Sequence, residues 1–339
     1  MSRGRMLVVL LAAVSTALAP GAAVAARAAA SLPSAAAAEE ARILQLARRA
    51  TFGATPELCD EIRRIGRARW LDQQLAPAAI ADPALATRLA IYPALAMGSA
   101  ELLARYPQPK AGAARAATDA IGPPGRVLGE VSSDVVTRAV HARAQLAEVM
   151  TDFWLNHFNV FAADGPNRWA VVEWVRDVVR PHALGRFRDL LGATASSPAM
   201  LYYLDNYLSS APGARTRRGS SGLNENYARE LMELHTLGVT GGYTQADVVA
   251  VARVFTGWTI TPPRSGSIDF VFAPRLHDGG AKTVLGRRIA AGGRAEGEAV
   301  LEVLAREPAT AEHVTRKLVA RLIADDPTEP LVQRAKQVW

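Results

Sequence analysis

The stretch Asn224-Glu225-Asn226-Tyr227-Ala228-Arg229-Glu230-Leu231-Met232-Glu233-Leu234-His235 decides how the rest of the chain is read. From Tyr227 to Leu237 nothing breaks a helix, and Ala, Leu, Met, Glu and Arg favour one. Tyr227, Leu231 and Leu234 recur at i, i+4 and i+7 as one apolar stripe. Glu225, Arg229 and Glu233 stack at spacings of four as acid, base, acid, with Asn226 and Glu230 in a second polar row. Asn224 is placed to cap this helix, and Gly238 with Gly241-Gly242 ends it. Thr244 then caps a second helix through a capping box with Asp247, and Val248, Val251, Ala252 and Phe255 form its buried face. The expectation is a helical hairpin whose first arm carries ionisable groups. In one reading Arg229, Glu230, Glu233 and His235 line a pocket. In the other, Glu225, Arg229 and Glu233 are an ion-pair ladder, because structural charge networks imitate active sites.

Working outward, the flanking pattern is also helical. Glu39 to Ala50 turns Ile43, Leu44 and Leu46 inward. Thr55-Pro56 opens a helix that bends at Gly66, and Asp82-Pro83 opens another. Tyr106 to Pro124 reads as a loop. Val131 to Phe161 is the longest uninterrupted helical pattern, with Val136, Val140, Leu146, Met150, Trp154, Phe158 and Phe161 on its buried side. Near its end Asp152 and Asn156 stand one turn apart, and His157 lies among aromatics. His157 is either a core histidine held by one hydrogen bond or a group facing Glu230 and Glu233. Ser209 to Gly222 is rich in Gly, Ser and Arg and reads as an exposed loop, a plain insertion in the favoured reading and a lid in the other.

After Trp258 the pattern changes. Ile268 to Phe272 alternates, and Thr283-Val284-Leu285-Gly286 reads as its returning strand. His277-Asp278 between them is either a pair serving a metal or a proton relay, or, in the favoured reading, an Asx turn before Gly279-Gly280. Glu296 to Ala305 and Pro308 to Ala324 close the chain as helices. The fold class expected is therefore mainly α, a multi-helix orthogonal or bundle-like domain with a small β-hairpin near residues 268–286.

Met1 to Ala25 has the form of a secretory signal: Arg3 and Arg5, an apolar run from Met6 to Leu18, and Ala23-Val24-Ala25 for cleavage. No Arg-Arg pair precedes the run, which favours the general secretory route to a secreted or periplasmic location. The organisation expected is signal peptide 1–25, flexible lead-in 26–40 and helical domain 41–339. No later segment is long and apolar enough to span a bilayer, so no integral membrane segment is expected after cleavage. Cys59 is the only cysteine, which excludes an intrachain disulfide and a Cys-rich zinc site. The formal charge of +7 comes without a basic run interleaved with aromatics, so a nucleic-acid partner is not expected. A phosphate-binding loop, a Gly-x-Ser-x-Gly elbow, a His-Glu-x-x-His helix and paired Glu-x-x-His motifs are all missing, and no metal site or cofactor is indicated.

Several ordered motifs, Arg49-Ala50-Thr51-Phe52-Gly53, Phe153-Trp154-Leu155-Asn156-His157-Phe158-Asn159-Val160, Pro181-His182-Ala183-Leu184-Gly185-Arg186-Phe187, Ser197-Pro198-Ala199-Met200-Leu201, Asn224 to Val239, Thr256-Gly257-Trp258 and His277-Asp278 with Lys282 to Gly286, carry a resemblance. Together they resemble a large bacterial family known as domain of unknown function 1800. The resemblance implies an exported protein and no particular reaction. It also implies a partner, a co-encoded exported sulfatase-like protein. Members run past the point where this chain stops, so the resemblance implies a C-terminally truncated copy.

Two functions are expected from these readings. The first is a hydrolase-like enzyme whose site joins Asn156, His157, Arg229, Glu230, Glu233 and His277, with a buried glutamate pair and a histidine as acid and base. The second is a non-catalytic envelope scaffold, in which the same groups fix helix packing.

Overall fold

The computed structural model describes residues 34–108, 124–216, 219, 220 and 222–339. The expected leader, and most of the loop expected over Tyr106–Pro124, lie outside them. Ser34 caps α1 (Ala35–Ala50) by accepting the Ala37 N–H, so this helix starts inside the stretch read as lead-in. It buries Ile43 and Leu46 and leaves Leu44 at the surface. Thr55 caps α2 (Pro56–Ile65), and Gly66, at φ 86°, bends the chain into α3 (Arg67–Gln74). Asp82 caps α4 (Pro83–Leu89), and α5 (Ser99–Arg105) follows.

Two helices, α6 (Pro124–His141) and α7 (Gln145–His157), stand where one was expected over Val131–Phe161. No glycine or proline marks the break, because its backbone is satisfied from elsewhere in the fold. The Arg143 N–H donates to Asp82 at 2.8 Å, and the Gln74 amide donates to Arg143 O and accepts the Leu146 N–H. Gln145 donates to Ala139 O and Ala142 O and accepts the Phe52 N–H. Val136, Val140 and Phe161, read as buried, are instead 61%, 66% and 59% exposed.

After α8 (Asn167–Glu173) the helix widens into a π turn over Trp174–Val179, and α9 (Phe187–Ala195) and α10 (Pro198–Tyr203) follow. The segment read as a lid holds a short antiparallel pair, β1 (Arg215–Thr216) with β2 (Gly219–Ser220). Its stem is not exposed. Ser209 and Ser210 are buried, Ser209 O accepts the Gly257 N–H, and the Ala211 N–H donates to Leu276 O at 2.8 Å.

The central hairpin follows as α11 (Asn226–Glu230), which continues in a π turn over Leu231–Thr236, and α12 (Gln245–Phe255), which begins with the expected Thr244–Asp247 capping box. Then come β3 (Trp258–Ile260), β4 (Phe270–Phe272), β5 (Lys282–Val284) and β6 (Arg287–Ile289). The chain closes with α13 (Arg294–Arg306), α14 (Pro308–Leu322) and α15 (Glu329–Lys336). The fold is mainly α with small antiparallel hairpins in the region expected, but the pairing differs. β4 pairs with β3, Phe272 opposite Trp258, and β5 with β6, Lys282 opposite Ile289. Leu285-Gly286, both at positive φ, make the tight turn between β5 and β6, and Asp247 accepts the Leu285 N–H at 2.7 Å.

One apolar cluster runs from Ile43 to Ala335, with Val248, Val251, Ala252, Val254 and Phe255 of α12 wholly inside it. α14 packs on α15, on α1 and on the π turn after α11, and α1 also packs on α7. This junction sets the end of α7 against α14 and the end of the central helix. Among the described residues, no helix is long and apolar enough to cross a membrane.

Candidate functional site

The π turn decides which side chains of the central helix face inward. In an unbroken α-helix Leu234 would continue the Tyr227–Leu231 stripe. The turn closes through a bond from the Leu237 N–H to Met232 O at 2.9 Å, five residues back, while the Thr236 hydroxyl donates to Leu231 O at 2.6 Å. The wider turn delays the rotation by about one residue. Met232, His235 and Thr236 are buried, and Leu234 is 46% exposed. Gly238 ends the helix at φ 83°, and a Cβ there would stand 2.9 Å from His313 Nδ1.

Carbonyls in the last turn of a helix lack intrahelical partners. Here two imidazoles take them. His157 Nε2 lies 3.0 Å from His235 O, and His313 Nε2 lies 3.2 Å from Leu234 O. A carbonyl only accepts, so each Nε2 carries the proton and donates it. His157 Nδ1 then has a free lone pair, and the Lys317 ammonium donates to it at 3.3 Å. Burial, and after it the positive charge of Lys317, holds the His157 pKa well below the ordinary imidazole value. The same two causes bring His235 down to about 3 and lower His313. Burial alone lowers Lys317. The His157 ring stands edge-on to Trp154 and Phe158, and the rings of His235 and His313 lie about 6 Å away.

His157 and Lys317 open onto a concavity of about 460 Å³ lined also by Phe153, Asn156, Ala320, Arg321 and Asp325. Asn156 is exposed there, with its amide donating to Asp152 O at 2.8 Å. Arg49 is paired with Asp325 at 2.8 Å. Arg321 donates to Arg49 O at 3.2 Å, and burial lowers its pKa although Asp152 opposes this.

Of the residues expected to form one site, the structure brings Asn156 and His157 together and leaves the others elsewhere. His157 is bonded to His235 O and Lys317, not to Glu230 or Glu233. Arg229 pairs with Glu225 at 3.2 Å, and both bond to Gln245 on α12, which is the first rung of the ladder reading. Glu233 instead accepts from the Tyr243 hydroxyl at 3.3 Å. Glu230 is half-buried, and burial followed by repulsion from Glu233 raises its pKa.

His277 belongs to a third place, a closed network the sequence reading did not assemble. Its Nδ1 faces Thr256 O at 2.9 Å and its Nε2 faces Glu296 Oε1 at 3.1 Å, so the ring fills both bonds when both nitrogens carry protons. Glu296 also accepts the Gly292 and Gly293 N–H groups at 3.0 and 3.2 Å and the Lys282 ammonium at 2.6 Å. Burial works to raise the Glu296 pKa, and the bonds from Lys282, Gly292 and His277 overcome it and leave the carboxyl below its ordinary range. Lys282 donates in addition to Asp278 O, while Asp278 pairs with Arg253 at 2.7 Å and accepts the Gly280 N–H as an Asx turn does. The side chains of Lys282, Glu296 and His277 are 0%, 1% and 6% exposed.

Lys317 and Arg321 were missed although a signal exists. His313, Lys317 and Arg321 recur at spacings of four beside the buried Val314-Leu318-Leu322 stripe, with no acid in the row. Lys282 and Glu296 offer no such signal, because a lysine in a strand and a glutamate in a first helical turn are ordinary surface choices. Among the described residues, no group of three or more His, Cys, Asp or Glu side chains is placed to hold a metal ion.

Comparison with known proteins places these features in a family. No curated protein and no solved structure matches the chain. Residues 45–339 match the family described as "Protein of unknown function (DUF1800)", and this span contains both histidine clusters and the whole central helix. The chain is a member of the DUF1800 family.

Proposed function

We propose that the chain is an exported, hydrolase-like enzyme whose acid–base group is His157 and whose site is the concavity shared by His157, Lys317 and Arg321. The observation that carries this is the fixed tautomer. With its Nε2 proton committed to His235 O at 3.0 Å, the neutral ring presents the Nδ1 lone pair beside Lys317, at the wall of an open concavity. In a hydrolytic step the Lys317 N–H turns from Nδ1 to the substrate, and the freed Nδ1 lone pair takes a proton from an attacking water as its oxygen bonds to the substrate. The ammonium of Lys317 stabilises the oxygen that becomes negative. The same proton then passes to the leaving group. In this reading Asn156 lines the entrance, and Arg229, Glu230, Glu233 and His277 are structural.

The test is turnover of ester, amide, phosphoester and sulfoester panels by the purified mature chain and by His157→Gln. Activity lost in the variant, with the fold retained by circular dichroism, supports the reading; hydrolysis that survives the substitution ends it. Export is part of the proposal and rests on the Met1–Ala25 pattern. N-terminal sequencing of chain recovered outside the cytoplasm is expected to begin at Ala26, and an intact Met1 there would contradict cleavage.

A further inference from the structure

Among the described residues most half-buried basic side chains are matched by carboxylates, with Arg168, which donates to Ala163 O, an exception. Arg180 meets Asp134 and Glu148, Arg188 meets Glu298 and Glu302, and Arg253 meets Asp278. Lys282, wholly buried, meets Glu296. Lys317 and Arg321 also lack such a match, and unlike Arg168 they stand together at one concavity. Among the described residues no carboxylate stands within ion-pair distance of either. They sit one turn apart on α14 and line the same concavity. Asp325 of that wall is held by Arg49, and Asp152 is the remaining acid whose charge reaches Arg321. Counting Arg49, Lys317 and Arg321 against Asp152 and Asp325, with His157 neutral, leaves the concavity one positive charge in excess.

The donors are as telling as the charge. An ammonium has three N–H groups and a guanidinium five. Lys317 spends one on His157 Nδ1, and Arg321 bonds Arg49 O through Nη1. The remaining N–H groups meet no protein oxygen and are left to the concavity, where desolvation already disfavours both cations. An oxyanion entering the concavity can take these donors in charge-assisted bonds, which are stronger than those between neutral groups.

We propose that Lys317 and Arg321 bind an oxyanion group of the substrate — a phosphate, sulfate or carboxylate — and hold it against His157. Side chains one helical turn apart, about 5–6 Å, bracket one such group. The inference takes its site from the acid–base reading above and rests on it for the role of His157, but binding is read without turnover. The two therefore fail separately.

The experiment is a titration of the full chain with sodium phosphate, sodium sulfate and sodium acetate at constant ionic strength set by sodium chloride, followed by thermal shift and calorimetry. A saturable rise in melting temperature with at least one of the three is expected, with a Kd weakened about tenfold or more in Lys317→Met and in Arg321→Met. Arg306→Ala, an exposed cation paired with Glu302, should bind as the parent does. The preferred anion assigns the group: phosphate or sulfate points to an ester of that acid, acetate to a carboxylate substrate. A shift equal to that of chloride, or one unchanged in both Met variants, overturns the proposal. Loss of turnover in His157→Gln with anion binding intact would keep both proposals; anion binding with turnover unaffected by His157→Gln would sink only the acid–base reading.

Discussion

The protein builds two histidine clusters and completes only one of them. Around His277, every group has its complement: Glu296 accepts from His277, Lys282 and two backbone N–H groups, and Asp278 answers Arg253. Around His157 the partners are helix-end carbonyls and a lysine, and no carboxylate closes the set. The first is sealed inside the fold; the second lies on a concavity of about 460 Å³. The difference sets a self-satisfied network against one with donors to spare. A network that satisfies itself has nothing left for a ligand, whereas the proposed anion site needs the donors that Lys317 and Arg321 keep spare.

The comparison breaks first, and hardest, at Glu296. Glu296→Gln leaves the Lys282 ammonium buried without a counter-charge and is expected to destabilise the fold by about 3–5 kcal/mol in urea denaturation. The double change Glu296→Gln with Lys282→Met should cost less than the single one, because the stranded charge is gone. A single variant within experimental error of the parent would show that the network is not structural.

Acid probes the other cluster. His157, His235 and His313 are kept neutral in the fold, and an unfolded chain takes up their protons near pH 6.5. Below that value the unfolded state binds more protons, so stability falls as pH falls, by at most about 1.4 kcal/mol per pH unit for each group. For His235 the loss extends toward pH 3. Glu296, lowered in the fold, adds to the same trend at more acidic pH. Denaturation midpoints from pH 7.5 down to pH 4.5 are expected to decline, less steeply in His235→Asn; parallel profiles for parent and variant would refute the assignment.

Gly238→Ala sharpens the geometry of the helix end. It forces a left-handed residue and sets a Cβ 2.9 Å from His313 Nδ1, for an expected cost of about 1–3 kcal/mol. A matched anion titration should also weaken, because His313 stands one turn before Lys317 on α14. The smallest effect is expected at Glu230→Gln, within about 0.5 kcal/mol of the parent and without change in any turnover. Turnover abolished there would return the site to the glutamate row.

The helical class, most boundaries and the core of α12 were legible because they rest on local rules: caps at Thr55, Asp82 and Thr244, a glycine at Gly66, and an apolar stripe from Val248 to Phe255. The break before Gln145 was not, since Gln74 and Asp82 supply its hydrogen bonds from far along the chain. The π turn hid in the same way. Spacing in threes and fours assumes α geometry, so Leu234 was read inward when it faces out. Of the site, His157 was visible as a histidine among aromatics. Its partners were not, because the reading looked for acids to match it and the fold matched it with a carbonyl and a lysine.

The walls of the His157 pocket come from the middle and the last third of the chain. Lys317 meets His157 across 160 positions, and His157 meets His235 across 78. Closing loops of that length is the slow part of folding. No fragment lacking either third of the sequence can hold half a site in place. Whatever the concavity binds will thus report on completed closure, and a nick that frees α14 should silence it outright rather than dull it.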